Sequence, residues 1–510
     1  MEEFDIRMAM LEKMRQAGLQ PFAYTYKKTA DAKDIPAKFS GLEPGQEKPE
    51  KFSVAGRVLS TRGHGKIMFI DLEDQTGKLQ VVANAAVLGE KAFASILEFI
   101  GPGDIIGVKG HPMKTKRGEL SLSAEELSLL TKSLRGLPSK WYGLKDVEKR
   151  YRQRYLDLLM NPEVKQVFVK RSQIIDSIRQ YMKSKGYLEV ETPIMQPLYG
   201  GAMARPFITH HNTLKKDMYL RISNEMYLKR LIAGGFEKVF EFSVDFRNEG
   251  IDTTHNPEFL MMEAMTAYSD YKDGMGLVEG IVSHAAKAAL GTTKVKFRGH
   301  DIDLAPPWER LTVFQAVKKH AGLDVEKSSL QEVVAFVKKH NLRIISKQPT
   351  KGELAAALFE ELVEPKLIQP TIVYDYPLEI SPLAKKSRDN PGVTERFEVF
   401  IAGSEYSNNY TEITDPLELR HNFKYQLKRG QEGDEESHPM DEDFLTAMEH
   451  GMPPTCGIGI GIDRLVMLLT GSESIRDVVF FPQLRDREPG QEVFGDEVKD
   501  TVLEKRGQKK

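Results

Sequence analysis

FEFSVDFRNEGIDTTHNPEFLMMEAMTAY, residues 240–268, is the stretch from which the rest of the chain is best read. Two extended apolar runs flank a polar loop that carries Arg247, Glu249 and His255, the pattern of a hairpin. Successive side chains of a strand point to opposite faces, so Phe259, Met261, Glu263 and Met265 share one face of the second run. Phe259 and Glu263 then lie roughly 13 Å apart, at about 3.3 Å per residue. That span could hold a purine ring at one end and a small charged substrate at the other. Taken alone, a half-buried strand with an exposed glutamate is the plainer reading.

Two further stretches carry the same kind of signal. In RFEVFIAGSEYSNNYTEITD, 396–415, Asn408, Tyr410 and Glu412 fall on one strand face. Glu398 and Glu405 stand among apolar or small neighbours, where a carboxylate is costly unless a cation meets it. A pair of glutamates suits Mg²⁺, which takes hard oxygen ligands and keeps water and phosphate for the rest; in isolation, surface glutamates are the simpler alternative. The third stretch, GIGIGIDRLVM at 457–467, reads as a strand running into a helix. Its glycine spacing differs from the G-x-G-x-x-G of dinucleotide-binding turns. Glycines in a strand instead permit close approach of a ligand or another backbone. Arg464, at the junction, could then reach a phosphate or stack on a base.

Composition sets the frame around these stretches. A length of 510 residues suggests two to four domains at roughly 150 residues each. Hydrophobic residues at 40%, charged residues at 29% and a mean hydropathy of −0.40 describe a globular chain, neither disordered nor membrane-embedded. No uncharged apolar run reaches membrane-spanning length, and MEEFDIRMAMLEK does not read as a secretory signal. The single cysteine, Cys456, excludes an internal disulfide framework and any multi-cysteine metal site, and a reducing cytoplasm is the expected compartment. With a formal net charge of −2, a nucleic-acid partner would have to be held by local basic patches.

The order of elements follows from periodicity. Phe4, Met8, Leu11 and Met14 mark a short amphipathic helix within 1–20, and 31–51, rich in Pro, Gly and charge, reads as a linker. Residues 52–130 give short strand candidates (FSVAGRVLS, KIMFIDLED, KLQVVAN, DIIGVKGHPM, ELSLS, ELSLL) separated by turns. Either an unspecified β-domain or an oligonucleotide-binding barrel fits them. The basic, aromatic stretch 131–165 reads as a hinge with a local positive patch at Arg150, Arg152 and Arg154, although composition favours a solvated helix. Beyond 166, strands and helices do not alternate regularly. The expected fold class is therefore α+β, an antiparallel sheet flanked by helices rather than a doubly wound parallel one.

As a set, the three stretches resemble the three signature motifs of class II aminoacyl-tRNA synthetases, ATP-dependent ligases of protein biosynthesis. The first motif is the helix and strand ending at Pro193, the second is FRNEG…HNPEF, and the third is GIGIGIDR. The runs YRQRYLDL, GYLEVETPIMQ, GGAMARPFITHHN, MYLKRLIAGGFEKVFEF, DYPLEISPLAKK and SIRDVVFFP are similar to the lysyl-tRNA synthetase family. The resemblance implies an N-terminal helix and linker at 1–51, an OB-fold anticodon-binding domain at 52–134, a hinge at 135–165 and a class II catalytic domain at 166–487. The charged tail at 488–510 lies beyond the family's usual end. It implies Arg247 across the substrate carboxylate and α-phosphate, Glu249 and His255 in the ATP loop, and Phe259 stacked on adenine. Arg464 would pack on the other face or meet the γ-phosphate, and Glu398 with Glu405 would hold Mg²⁺. The lysine pocket falls on Gly201, Glu225, Glu263, Met265, Asn408, Tyr410 and Glu412. Phe69, Gln80 and Glu119 match the anticodon-reading positions, and L-lysine, ATP, tRNA(Lys) and a second copy of the chain are the implied partners.

Two departures qualify that expectation. The family usually has a tyrosine where this chain has Met265, and a thioether cannot replace a phenol as a hydrogen-bond partner. SEYSNN, 404–409, replaces the usual Arg-Glu-Ile-Gly-Asn-Gly. Weaker lysine binding, or tolerance of a lysine analogue, is therefore expected. The alternatives are an aspartate- or asparagine-type synthetase, a synthetase-like enzyme serving another acceptor, and a non-catalytic RNA-binding protein. Glu225, Glu263 and Glu412 argue against the first, the barrel against the second, and Arg247, Glu398, Glu405 and Arg464 against the third.

Overall fold

A computed structural model describes residues 3–138, 144–342, 349–431 and 439–486 and separates the chain into two compact units, Met1–Gly143 and Leu144–Lys510. The tail 488–510 lies outside the described residues.

In the first unit, β1 (Phe52–His64), β2 (Ile67–Glu73), β3 (Lys78–Asn84), β4 (Ile105–Lys114) and β5 (Leu120–Thr131) close into a barrel in the order β1-β2-β3-β5-β4. The period-two pattern explains the closure: Met68, Ile70 and Leu72 point into the core, whereas Phe69 and Asp71 stay on the outer side. ELSLS and ELSLL, read as two strands, form the single strand β5, because no turn residue interrupts them. Its partner β4 bulges at Lys109/Gly110, where a methyl group would lie 1.9 Å from the Ser123 carbonyl oxygen, so the position demands glycine. The segment expected as a linker is packed instead. Ile35, Phe39 and Leu42 recur at helical spacing, and the helix Asp34–Phe39 buries them with Val54, Ile70 and Val81 in the barrel core.

The second unit is built on an eight-stranded sheet. After β6 (Leu188–Glu189), a small three-stranded sheet forms from β7 (Met195–Gln196), β8 (Ile208–His211) and β9 (Lys216–Leu220). The hairpin follows as β10 (Lys238–Phe246) and β11 (Glu258–Ala267), then a two-stranded ribbon, β12 (Lys294–Phe297) and β13 (His300–Asp303). The remaining strands are β14 (Glu309–Thr312), β15 (Thr371–Pro377), β16 (Val393–Ile401), β17 (Ser404–Thr411) and β18 (Thr455–Gly461). The large sheet runs β14-β15-β16-β17-β18-β11-β10-β6, antiparallel except for the pairs β14–β15 and β10–β6 at its edges.

Its two faces have different fates. Met262, Ala264, Ile458 and Ile460 pack beneath the helices Pro162–Ser184, Tyr271–Leu290 and Ile462–Thr470 as one apolar core. The alternate residues Glu263, Met265, Gly457 and Gly459 face the other way. The stretch 270–370 combines helices with β12, β13 and β14. Within this unit Arg154 is fully buried. Its guanidinium donates to the carbonyls of Phe480, Arg476 and Val479 and pairs with Asp157 at 2.6 Å. Of the expected basic patch, Arg154 is therefore an internal brace rather than a surface cation.

Candidate active site

Strand register assembles the site. Met265, Gly457, Tyr410 and Arg396 stand in one row across β11, β18, β17 and β16, and Glu263, Gly459, Asn408 and Glu398 in the next. Because the middle strand contributes only glycines on this face, the floor stays open between acidic walls, and a cavity of about 450 Å³ lies over it. Arg247, Glu249, His255, Phe259 and Arg464 line it, as do Gly201, Glu225, Glu263, Met265, Asn408, Tyr410, Glu412 and Glu405. Glu398 does not.

One end is anion-seeking. The Arg247 guanidinium lies 5.0 Å over the Phe259 ring, and its buried Nε has no partner. Arg464 donates to the Glu405 carbonyl at 2.8 Å and contacts His255 Nε2 at 3.3 Å. Since a guanidinium can only donate, His255 Nε2 accepts, and its Nδ1–H then donates to Asp252 Oδ2 at 2.8 Å. Glu249 is exposed at the rim.

The other end is acidic. Burial, followed by the charges of Asp245 and Glu225, pushes Glu263 well above the usual carboxylate range, while the Ser223 hydroxyl donates to it at 3.0 Å. Burial likewise raises Asp245 to about 6, against the pull of Arg221 and Arg247. Burial also raises Glu412, with Lys229 pulling the other way. The Tyr410 hydroxyl donates to Glu225 Oε2. Buried acceptors without a hydrogen-bonding partner on this side include Asn408 Oδ1 and Glu412 Oε1, both on cavity-lining residues. Gly201, at φ +88°, approaches closely enough that a methyl group would meet Ser223 Oγ at 2.8 Å and Glu225 Cβ at 3.0 Å.

The expected metal pair is differently placed. Glu398 accepts from the Tyr376 hydroxyl at 2.8 Å and pairs with the Arg396 guanidinium. Glu405 is raised by burial and then by the charge of Glu398, and Glu364, nearby, is pushed up to about 7 by burial and by Glu405. Carboxylates clustered in this way fit a divalent cation. Among the described residues, no group of three or more His, Cys, Asp or Glu is arranged to hold one alone, so phosphate and water would complete the set. In the barrel, Phe69 stands in register between Arg62 and Val82, Gln80 between Asp71 and Ser121, and Glu119 is exposed just before β5. Gln80 Oε1 accepts from the Ser121 hydroxyl at 2.9 Å.

Several site residues had no separate signal in the sequence. Ser223, Arg396 and Lys229 belong here through contacts formed only on folding. The Glu225–Lys229 spacing of four is a legible helical pair; its third member, Glu412, is remote in sequence.

Comparison with known proteins agrees with this construction. The family model for tRNA synthetases class II (D, K and N) matches residues 146–485, and that for the OB-fold nucleic acid binding domain matches 52–130. The chain belongs to the class II tRNA synthetases. It is 49% identical to the lysine–tRNA ligase of Methanoculleus marisnigri over 481 residues, covering 94% of each chain. The lysine–tRNA ligase of Nostoc sp. is also 49% identical, over 95% of this chain and 88% of the relative, and that of Halalkalibacterium halodurans 48%, over 95% and 97%. Within the class, the chain is a member of the lysine–tRNA ligase family.

Proposed function

We propose that the chain activates L-lysine with ATP to lysyl-adenylate and pyrophosphate, then transfers the lysyl group to the 3′ end of tRNA(Lys). The observation that carries this reading is the polarity of the unpartnered groups. Among the cavity-lining groups without a hydrogen-bonding partner, the donor Arg247 Nε lies beside Phe259, the acceptors Asn408 Oδ1 and Glu412 Oε1 lie at the acidic end, and Arg396 Nε is a further donor. Buried polar groups are otherwise satisfied, and the first three fit the two ends of one ligand. It is anionic and aromatic at one end and carries donors at the other.

In the first step the lysine carboxylate attacks the α-phosphorus of ATP. A carboxyl–phosphorus bond forms, the bond to the pyrophosphate oxygen breaks, and the pyrophosphate leaves with the electron pair. The attacking carboxylate is already ionised, so no protein base is needed; positioning and charge neutralisation do the work. Arg247 meets the carboxylate and the α-phosphate, Arg464 the distal phosphates or the open face of adenine, and Phe259 the other adenine face. His255 and Glu249 close the ATP loop. Glu225, Glu263, Met265, Asn408, Tyr410 and Glu412 receive the amino acid, with the backbone at Gly201 accepting from its α-amino group. Glu398 and Glu405 would hold Mg²⁺, which supplies charge neutralisation on the phosphates. In the second step a hydroxyl of the terminal ribose attacks the acyl carbon, an ester bond forms, the bond from the acyl carbon to the phosphate oxygen breaks, and AMP leaves with the electron pair, its phosphate taking up the hydroxyl proton.

The barrel reads the anticodon. Phe69 stacks on one base, and Gln80 and Glu119 contact base edges, the usual division of labour in single-strand recognition. The half-exposed apolar residues Leu188, Ile194 and Met195 around β6 and β7 support a homodimer across this segment. No described helix is long and apolar enough to cross a membrane, and a cytoplasmic location fits the single buried cysteine. Acylation of tRNA transcripts tests the reading: a transcript with the lysine anticodon should be charged with lysine, and one with an aspartate anticodon should not. Equal charging of both would refute the assignment of the barrel.

A further inference from the structure

A lysine of the chain itself is buried behind the acidic wall of the cavity. Lys229 lies one turn after Glu225 on the helix Glu225–Ala233, with a side chain only 4% exposed. Its Nζ is 2.5 Å from Glu225 Oε1 and also pairs with Glu412 Oε2. It lies 5.5 Å from the centre of the Tyr410 ring. Burial opposes its charge, yet Glu225 and Glu412 hold the ammonium above its ordinary range. Such a triad is expensive to desolvate, and an apolar side chain facing the core would normally be cheaper.

The oxygens show what Lys229 does. Each oxygen of Glu225 already has a partner, Lys229 on Oε1 and the Tyr410 hydroxyl on Oε2. Lys229 occupies Oε2 of Glu412 and leaves Oε1 open, beside Gly457 and Met265. Burial raises Glu263 and Glu412 above the usual carboxylate range, so a bound cation must draw their protons off. Once they are ionised, three carboxylates less one ammonium leave two negative charges, and lysine brings two ammonium groups, its carboxylate being met by Arg247.

We infer that Lys229 is a positioning residue for amino-acid selection: it ties Glu225 to Glu412, presents Glu412 Oε1 and Asn408 Oδ1 to the side-chain ammonium, and matches the pocket's charge to a diammonium substrate. The inference rests on the reading of this pocket as the lysine site. It also gives Met265 a place. The thioether offers no hydrogen bond, and the open oxygen of Glu412 beside it takes the ammonium.

The test compares wild type, Lys229→Met and Lys229→Arg by ATP–pyrophosphate exchange against lysine concentration, from about pH 6.5 to about pH 9, where a carboxylate cluster that keeps a proton changes affinity about tenfold per pH unit. The groups that face Lys229 are Glu225 on its own helix and Tyr410 with Glu412 from β17 and its end. Glu225 in turn faces Glu263 on β11, and Cys456 on β18 lies in the field of Glu412. Without the ammonium, Glu412 loses the charge that pulls it down and holds its proton more firmly, and lysine must expel it. Lys229→Met should therefore raise the lysine KM at least about tenfold at pH 7, with the KM falling as pH rises and kcat within about threefold. Wild-type KM should fall less steeply with pH than that of Lys229→Met, and Lys229→Arg should recover most of the affinity. A KM for Lys229→Met that is unchanged, or raised equally at every pH, overturns the inference, as does a loss confined to kcat. Calorimetry on wild type, in two buffers of different ionisation enthalpy, covers the case of an unfolded variant. Lysine binding near pH 7 should release protons from the raised carboxylates Glu263 and Glu412, and proton uptake, or no exchange at all, overturns the charge match. Wild type without any lysine-dependent exchange refutes the lysine reading itself, whereas the other failures refute only the role of Lys229.

Discussion

A single methyl group at Gly457 should separate the two ends of the cavity. On that glycine it would lie 2.1 Å from Glu412 Oε1, 3.0 Å from Met265 Sδ and 3.1 Å from Met265 Cε. Real contacts of this kind do not fall below 3.0 Å, so Glu412 must recede by about 1 Å. It has little freedom to do so. Its backbone N–H donates to the Thr455 carbonyl at 2.9 Å, and its carboxylate is held by Lys229. A misplacement of about 1 Å in a positioning group can cost about 100-fold in rate, close to 2.7 kcal/mol at the transition state. Gly457→Ala should therefore lower kcat/KM for lysine about 100-fold in pyrophosphate exchange. The ATP KM should stay within about threefold, because Phe259, Arg247 and His255 lie toward the far end of β11. Gly459→Ala is the internal control. Its methyl would meet nothing closer than 3.4 Å, so the folded protein should accept it without strain. A Gly457→Ala enzyme within about threefold of wild type for lysine would refute the placement of Glu412 at the substrate ammonium. So would an equal loss in the ATP KM.

Three other outcomes follow from the same geometry. Phe259→Ala removes the ring beside Arg247 and should raise the ATP KM about tenfold or more while leaving the lysine KM nearly unchanged, measured in the same exchange assay. Arg154→Met strips donors from the carbonyls of Phe480, Arg476 and Val479 and leaves Asp157 partly unpaired; it should cost about 3–5 kcal/mol, read as a lowered melting temperature, because breaking a buried charge network strands its partners. Asp74 is raised by burial but lowered further by hydrogen bonds from Thr76, the Ala32 N–H and Lys28, to a net pKa of about 2. Its stabilising contribution is present above pH 4 or so and lost as pH falls through about 2, so Asp74→Asn should weaken the barrel by about 2 kcal/mol at pH 7, and the difference should vanish near pH 2, followed by hydrogen exchange in β1–β3.

How much of this was legible before folding depends on whether the signal is local. The period-two face of β11 placed Phe259, Glu263 and Met265 together, because a strand's alternation is written in consecutive residues. The glycines of β18 likewise announced an open floor. The pairing of Arg396 with Glu398 was not legible, since two residues apart on a strand reads only as a shared face. Nor was the second partner of Lys229, Glu412, which approaches from just beyond β17, nearly two hundred positions away. Residues 31–51 misled for a related reason. Charge and proline dominate the composition, and only the spacing of Ile35, Phe39 and Leu42 betrays the buried helix. Met265 suggested a damaged pocket in the sequence, whereas in the structure it is 2% exposed and packs with Met226 and Leu228 beside the open oxygen of Glu412.

The central claim is that the acidic end of this cavity selects lysine for adenylation. ATP–pyrophosphate exchange by the purified protein, run with each standard amino acid and a few lysine analogues, tests it directly. The account predicts exchange with lysine far above every other standard amino acid. Exchange only with an analogue, or with aspartate or asparagine in place of lysine, would contradict it.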